Sequence, residues 1–155
     1  MFKNIDNIYM NNTEIINHLY FGNIITLSSF DLIVNCTHEI PFYSFCRERV
    51  RIPVYDNKID ELKFIQFIIY TKVLEKMNAS ILQKEDVLVH CNGEEEQRSF
   101  VVIICYLIRY HNYTPMQAVE YIHTKKNIAY IGNIRFKNTI NIYYHYYHHN
   151  TLTKK

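Results

Sequence analysis

The sequence predicts an α/β architecture, a central mixed, mostly parallel sheet flanked by helices, and three observations predict it. The run Asp31-Leu32-Ile33-Val34-Asn35-Cys36 is apolar without alternation, as in a strand covered on both faces. Segments of strand character alternate with segments of helical period, which favours parallel strands joined by crossover helices. Residues 100–108 are apolar on every side, which fits a helix enclosed in a core.

Taken in order, residues 1–15 are polar and Asn-rich and read as an irregular N-terminal arm. Leu19-Tyr20-Phe21-Gly22-Asn23 reads as a short strand ended by glycine, and residues 31–36 as the next. Residues 41–46 are loop or a short helical turn. Arg49-Val50-Arg51-Ile52-Pro53-Val54 alternates, so it is a strand, and Pro53 confines it to a strand end or sheet edge. Asp60 can cap a long helix on which Leu62, Ile65, Ile68, Ile69, Val73 and Met77 share one face. Residues 86–90 form the central strand and 98–111 the central helix. Thr114-Pro115 is a helix start, an N-cap followed by proline at the first helical position. Met116, Val119, Tyr121 and Ile122 supply that helix's apolar side. Gly132 breaks the chain, 133–149 form the last helix, and 150–155 are a tail. The domain is therefore expected over 16–149, with no repeat and no second unit.

The chain has 155 residues, 48% hydrophobic and 21% charged, enough for one domain with a real core. A net charge of +2 without basic runs argues against nucleic acid or membrane as partner. The longest apolar run is too short to span a bilayer, and the N-terminus has no secretory apolar core. The four cysteines, at 36, 46, 91 and 105, lack metal-ligand spacing, so reduced thiols in a cytoplasmic, reducing compartment are expected, with no metal and no cofactor. Cys36 and Cys105 read as core thiols, and Cys46 as a loop thiol and candidate disulfide partner for Cys91. His145, His148 and His149 fall on one face of the last helix but read as solvated. Abundant Asn, Ile, Tyr and Lys with no Trp fit an AT-rich genome such as that of a large DNA virus, which would place the protein in host cytoplasm or a virion.

Chemistry concentrates where Val87-Leu88-Val89-His90-Cys91 passes through Asn92, Gly93, Glu94, Glu95, Glu96 and Gln97 to Arg98-Ser99 and the apolar helix. A strand ending in cysteine and a short loop into a helix N-terminus make an anion site. Amides point inward, and the helix dipole favours negative charge and lowers a thiol's pKa. In such a site Cys91 is the candidate nucleophile. Arg98 can hold two phosphate oxygens. Ser99 can donate to the thiolate, and His90 can order the loop from behind.

These residues resemble the signature of the dual-specificity protein phosphatases, within the protein tyrosine phosphatase superfamily. Leu19-Tyr20-Phe21-Gly22-Asn23, Val34-Asn35-Cys36-Thr37, Ile52-Pro53-Val54-Tyr55-Asp56 and Ile104-Cys105-Tyr106-Leu107-Ile108 resemble the family's other segments in the same order. The resemblance covers about residues 16–140. It implies the dual-specificity phosphatase fold, a phosphoryl-transfer site, and Asp56 as the matching general acid, with Asp60 the alternative. It also exposes a departure. The family places five residues between Cys and Arg, whereas six stand between Cys91 and Arg98. Either one residue is inserted, the preferred alignment, or Gln97 takes the arginine's place. Where the family has its loop glycine stands Glu94. A carboxylate at about 4 Å from a phosphate costs on the order of several kcal/mol at an effective dielectric near 20. The expected function is a pseudophosphatase or very weak phosphatase that binds phosphorylated or unphosphorylated protein, with a homodimer as a further expectation. An active cysteine phosphatase using Cys91, Arg98 and Asp56 is the alternative, and a rhodanese-like sulfurtransferase a second one.

Overall fold

The computed structural model describes residues 12–22, 30–42, 46–55, 61–91, 97–128 and 130–153. Its sheet contains five strands, β1 (Asn12–Ile16), β2 (Leu19–Gly22), β3 (Leu32–Asn35), β4 (Glu48–Arg51) and β5 (Val87–His90), in the spatial order β1-β2-β5-β3-β4. β2, β5, β3 and β4 pair in parallel, and β1 runs antiparallel to β2. Five helices are described: α1 (Glu61–Tyr70), α2 (Val73–Leu82), α3 (Gln97–His111), α4 (Pro115–Lys125) and α5 (Lys137–Thr153). The mixed sheet flanked by helices is the predicted architecture.

The centre of the sheet is fixed by register. Val34 lies opposite Val89 and Asn35 opposite His90. Alternation along each strand then sorts the side chains. Leu32, Val34, Val87 and Val89 join the main core, to which α1–α5 contribute Phe64, Met77, Phe100, Ile104, Ala118 and Ile140 among others. On the other face Ile33 and Leu88 pack with Phe30 and Cys46. Polar ties hold the strand starts together. The Asp86 N–H donates to the Asp31 carboxylate at 2.8 Å, and the Asp31 N–H to the Asp86 carbonyl at 2.9 Å. His18 Nδ1 meets Asp86 Oδ1 at 2.9 Å.

α3 is buried all round: Gln97 through Ile108 are all enclosed. A helix with no wet face needs a cover on every side. The sheet supplies one, and α2, α4 and α5 supply the others. Tyr106 donates its hydroxyl to Asn78 of α2 at 3.0 Å, and Arg109 pairs with Glu75 of the same helix. α4 starts as predicted, with a capping box between Thr114 and Gln117.

Three expectations need correction. The N-terminal arm does not extend to residue 15, because Asn12–Ile16 is an edge strand. His18 at φ 71° lets the chain turn back so that residues without a strong strand pattern pair with β2. The long helix from Asp60 is two helices. Lys72 adopts a left-handed conformation, φ 55° and ψ 34°, and breaks the run after Tyr70. α1 buries Phe64, Ile65 and Ile68, while Leu62, expected on the same face, is 68% exposed. The last helix starts at Lys137 rather than 133 and continues to Thr153. The assigned cap, Asp60, lies outside the described residues.

Leu107→Ala, in the enclosed helix, should cost about 2–5 kcal/mol of unfolding free energy, while Leu62→Ala should stay within about 0.5 kcal/mol. Urea unfolding of the two variants against the wild type checks both.

Candidate active site

β5 delivers the sulfur and α3 delivers the groups around it. Cys91 directly follows β5 and is only 1% exposed. Its Sγ lies 3.2 Å from the Ser99 Oγ in the first turn of α3. Arg98, 6% exposed, donates from Nη1 to the Val54 carbonyl at 2.9 Å, which ties the start of α3 to the segment after β4. Gln97 turns elsewhere. Its Oε1 accepts from the Arg135 N–H at 2.7 Å, joining α3 to the chain before α5. Of the two candidates for the arginine position, Arg98 and not Gln97 is therefore directed toward the β4 side, with Ser99 on the sulfur.

Asn92, Gly93, Glu94, Glu95 and Glu96 lie outside the described residues, as does Asp56. Tyr55 is the last described residue before the segment that carries Asp56. The structure thus brings together Cys91, Arg98 and Ser99, and places His90 one residue earlier on the strand, aimed at the opposite face.

The electrostatics of the sulfur are a balance. Burial pushes the Cys91 thiol up; the Ser99 hydroxyl, Arg98 and the backbone at Ser99 and Arg98 pull it down, and burial wins. The thiolate expected from the helix-terminus argument is thus opposed by desolvation. Cys36, beside Cys91 at the end of β3, is held well above the ordinary thiol range, first by its own burial and then by Cys91, with Arg98 acting the other way. Cys46 packs on the far face of the sheet with Phe30, Ile33 and Leu88, and all four thiols are free. The candidate Cys46–Cys91 disulfide is therefore excluded by the sheet between them. His90 is pulled down to about 4, first by burial, against a backbone hydrogen bond at Cys91 and with help from Arg51.

Sequence reasoning missed a supporting layer. Asn35, buried at the end of β3, donates from Nδ2 to the Ile40 carbonyl at 2.8 Å. Its Oδ1 accepts from the Thr37 N–H at 3.1 Å and the Thr37 hydroxyl at 2.7 Å. The Ile40 N–H donates to the Thr37 hydroxyl oxygen at 3.1 Å. Arg51 then closes the turn from β4, donating to the carbonyls of Thr37 at 2.9 Å, His38 at 3.3 Å and Ile40 at 2.9 Å. The signal was present: an Asn inside an apolar strand needs partners, and an Arg in an alternating strand had none assigned. No group of three or more metal-ligating side chains occurs among the described residues. None of the described helices is long and apolar enough to cross a membrane.

The comparisons with known proteins agree with this geometry. The model of the dual specificity phosphatase catalytic domain matches residues 18–146. Among curated proteins none matches the sequence. The structure of a mouse putative dual specificity phosphatase complexed with zinc tungstate is similar, with a TM-score of 0.74 at 21% identity over 91% of this chain and 91% of that one. A human tyrosine phosphatase-like serine/threonine/tyrosine-interacting protein is similar with a TM-score of 0.69 at 19% identity, over 88% and 97%. PTPMT1 in complex with PI(5)P gives 0.64 at 16% identity, over 94% and 99%.

Two measurements check the electrostatics. Ser99→Ala removes a group that stabilises the thiolate, so alkylation of Cys91 at a given pH should slow by roughly tenfold, read by peptide mass spectrometry. His90 has a folded-state pKa below its unfolded one, so the unfolded chain takes up the proton first as pH falls. Stability should be level above about pH 6.5 and decline by about 3 kcal/mol toward pH 4. Denaturant unfolding across that window should show the decline in the wild type and lack this component in His90→Gln.

Proposed function

The chain belongs to the dual specificity phosphatase family, and from that premise we propose that it is a phosphate-recognising member that binds phosphorylated protein and turns it over weakly or not at all. The observation that carries this reading is the state of the Cys91 sulfur. It is 1% exposed, and burial, which favours the neutral thiol, outweighs the opposing pull of Ser99 and Arg98. The sequence supports the same reading, with six residues and three carboxylates between Cys91 and Arg98. Amides on a loop converge on one phosphate at one loop length, and the count between Cys91 and Arg98 is one longer than the family's. The name of one structural neighbour, a tyrosine phosphatase-like interacting protein, fits a role in binding.

The parts for binding and the parts for turnover differ. Binding needs the helix N-terminus and Arg98, which present N–H groups and a guanidinium to phosphate oxygens. Turnover needs more. The Cys91 thiolate attacks phosphorus, and the bond from phosphorus to the substrate oxygen breaks as Asp56 donates a proton to that oxygen. Water, giving up a proton to the Asp56 carboxylate, then attacks the phosphocysteine, releasing phosphate, restoring Asp56 as the acid and returning the sulfur as thiolate, which Ser99 and Arg98 stabilise. The family match leaves the sulfurtransferase alternative without support. The active-phosphatase alternative keeps one observation in its favour, the Ser99 hydroxyl held 3.2 Å from the sulfur.

Wild type and Cys91→Ser should hydrolyse a phosphotyrosine peptide and a small aryl phosphate at rates within about tenfold of each other, while Arg98→Met weakens phosphopeptide binding by about tenfold or more. Clear Cys91-dependent turnover assigns the chain to the active enzymes instead. Deleting one of Glu94, Glu95 or Glu96 should raise turnover, which would locate the defect in loop length.

A further inference from the structure

Beside the candidate site lies a cleft that the chemistry above leaves unused. Its floor is the His38 imidazole stacked on the Tyr55 ring, centroids 3.9 Å apart and planes 18° from parallel. Lys63, Phe67 and Tyr70 of α1 form the opposite wall, and the cleft encloses about 300 Å³. Tyr55 is 54% and Tyr70 79% exposed, so two large rings face solvent where the core has no need of them. Lys63 is exposed and pairs with no carboxylate among the described residues.

The floor is held with more hydrogen bonds than a surface turn requires. Asn35, Thr37 and Arg51 lock the backbone on both sides of His38, and Pro53 limits the backbone before Tyr55. A rigid aromatic surface loses little conformational freedom on binding, and exposed tyrosines in a concave patch have the composition of interface anchors. The topology places this surface on the edge of the sheet that carries the sulfur. β3, β4 and β5 run parallel, so His38 after β3, Tyr55 after β4 and Cys91 after β5 leave the sheet at the same end.

We propose that this cleft is a subsite for the peptide flanking a bound phosphoresidue, and that it selects an acidic side chain three to four residues away. The proposal rests on the phosphate-binding reading of the Cys91 site and names its partner more narrowly: a phosphoprotein segment with a nearby carboxylate. Spacing sets the position. β4 is two strands from β5, about 10 Å at the usual strand separation, and an extended peptide covers that in about three residues. Peptide backbone lies across the His38–Tyr55 pair, and the carboxylate meets Lys63 at the rim. One lysine among aromatic rings suits a single carboxylate on a peptide better than the several phosphates of a lipid headgroup, which call for a cluster of cations.

Fluorescence anisotropy tests this with phosphotyrosine peptides in an alanine host, bearing Glu or Lys three or four residues from the phosphotyrosine, and with their unphosphorylated counterparts. The wild type should bind the Glu peptide about three- to fivefold tighter than the all-alanine one. Lys63→Glu should reverse that preference with the alanine peptide's affinity unchanged, and Tyr55→Ala, which removes a ring that the peptide backbone lies on, should weaken the Glu and alanine phosphopeptides alike. Arg98→Met should weaken Glu and alanine phosphopeptides alike and leave their ratio intact. Equal affinities in the wild type, or a preference that survives Lys63→Glu, overturn the subsite. Binding to phosphoinositide vesicles that depends on Lys63, without a preference among peptides, overturns it in favour of a lipid. If phosphorylation and Arg98→Met make no difference, the anion-site reading fails by itself. The unphosphorylated pair then still decides: a Lys63-dependent preference for Glu supports the cleft, and equal affinities refute it.

Discussion

Enclosure of α3 is the constraint from which the rest of the structure follows. Its residues from Ser99 to Ile108 have no wet side, so the helix is stable only where a sheet lies under it and other helices lie around it. That demand fixes the sheet centre, since β5 must end where α3 begins. It also explains why α2, α4 and α5 each contact the same helix. The enclosure then sets the chemistry. A sulfur at the buried end of such a helix receives the helix N-terminus and the Arg98 charge, yet loses the water that would solvate a thiolate. Both effects come from one packing arrangement, and at Cys91 desolvation is the larger.

Much of the fold was legible because its strongest signals are local. The unalternating β3 and β5, the all-apolar α3 and the Thr114-Pro115 start of α4 each carry their reason within a few residues. What was not legible depends on partners distant in sequence. β1 exists because β2 is there to pair with it. The split of α1 from α2 rests on one left-handed lysine, whose own sequence argues for no break.

The site divides in the same way. Cys91, Arg98 and Ser99 stand close together in sequence and could be assigned from spacing, and Arg98 rather than Gln97 proved to be the one aimed at the segment after β4. Groups that act through tertiary contact left only faint traces. The Val54 carbonyl, the Arg135 amide and the network of Asn35 and Thr37 are reached by chains that come from other parts of the fold. The thiol's charge could not be read either, because burial of a side chain is a property of everything around it.

Arg51 ties two of these neighbours into a single genetic unit. Its guanidinium staples the turn that carries His38, and its charge is one of the forces keeping a proton off His90. A neutral residue at 51 would loosen the first and relax the second at once, with opposite demands on the surroundings. Sequence drift at this position is therefore channelled: a chain that gives up Arg51 must find a new way to close the 37–40 turn, while the imidazole behind the cysteine keeps the larger cause of its low pKa, its burial.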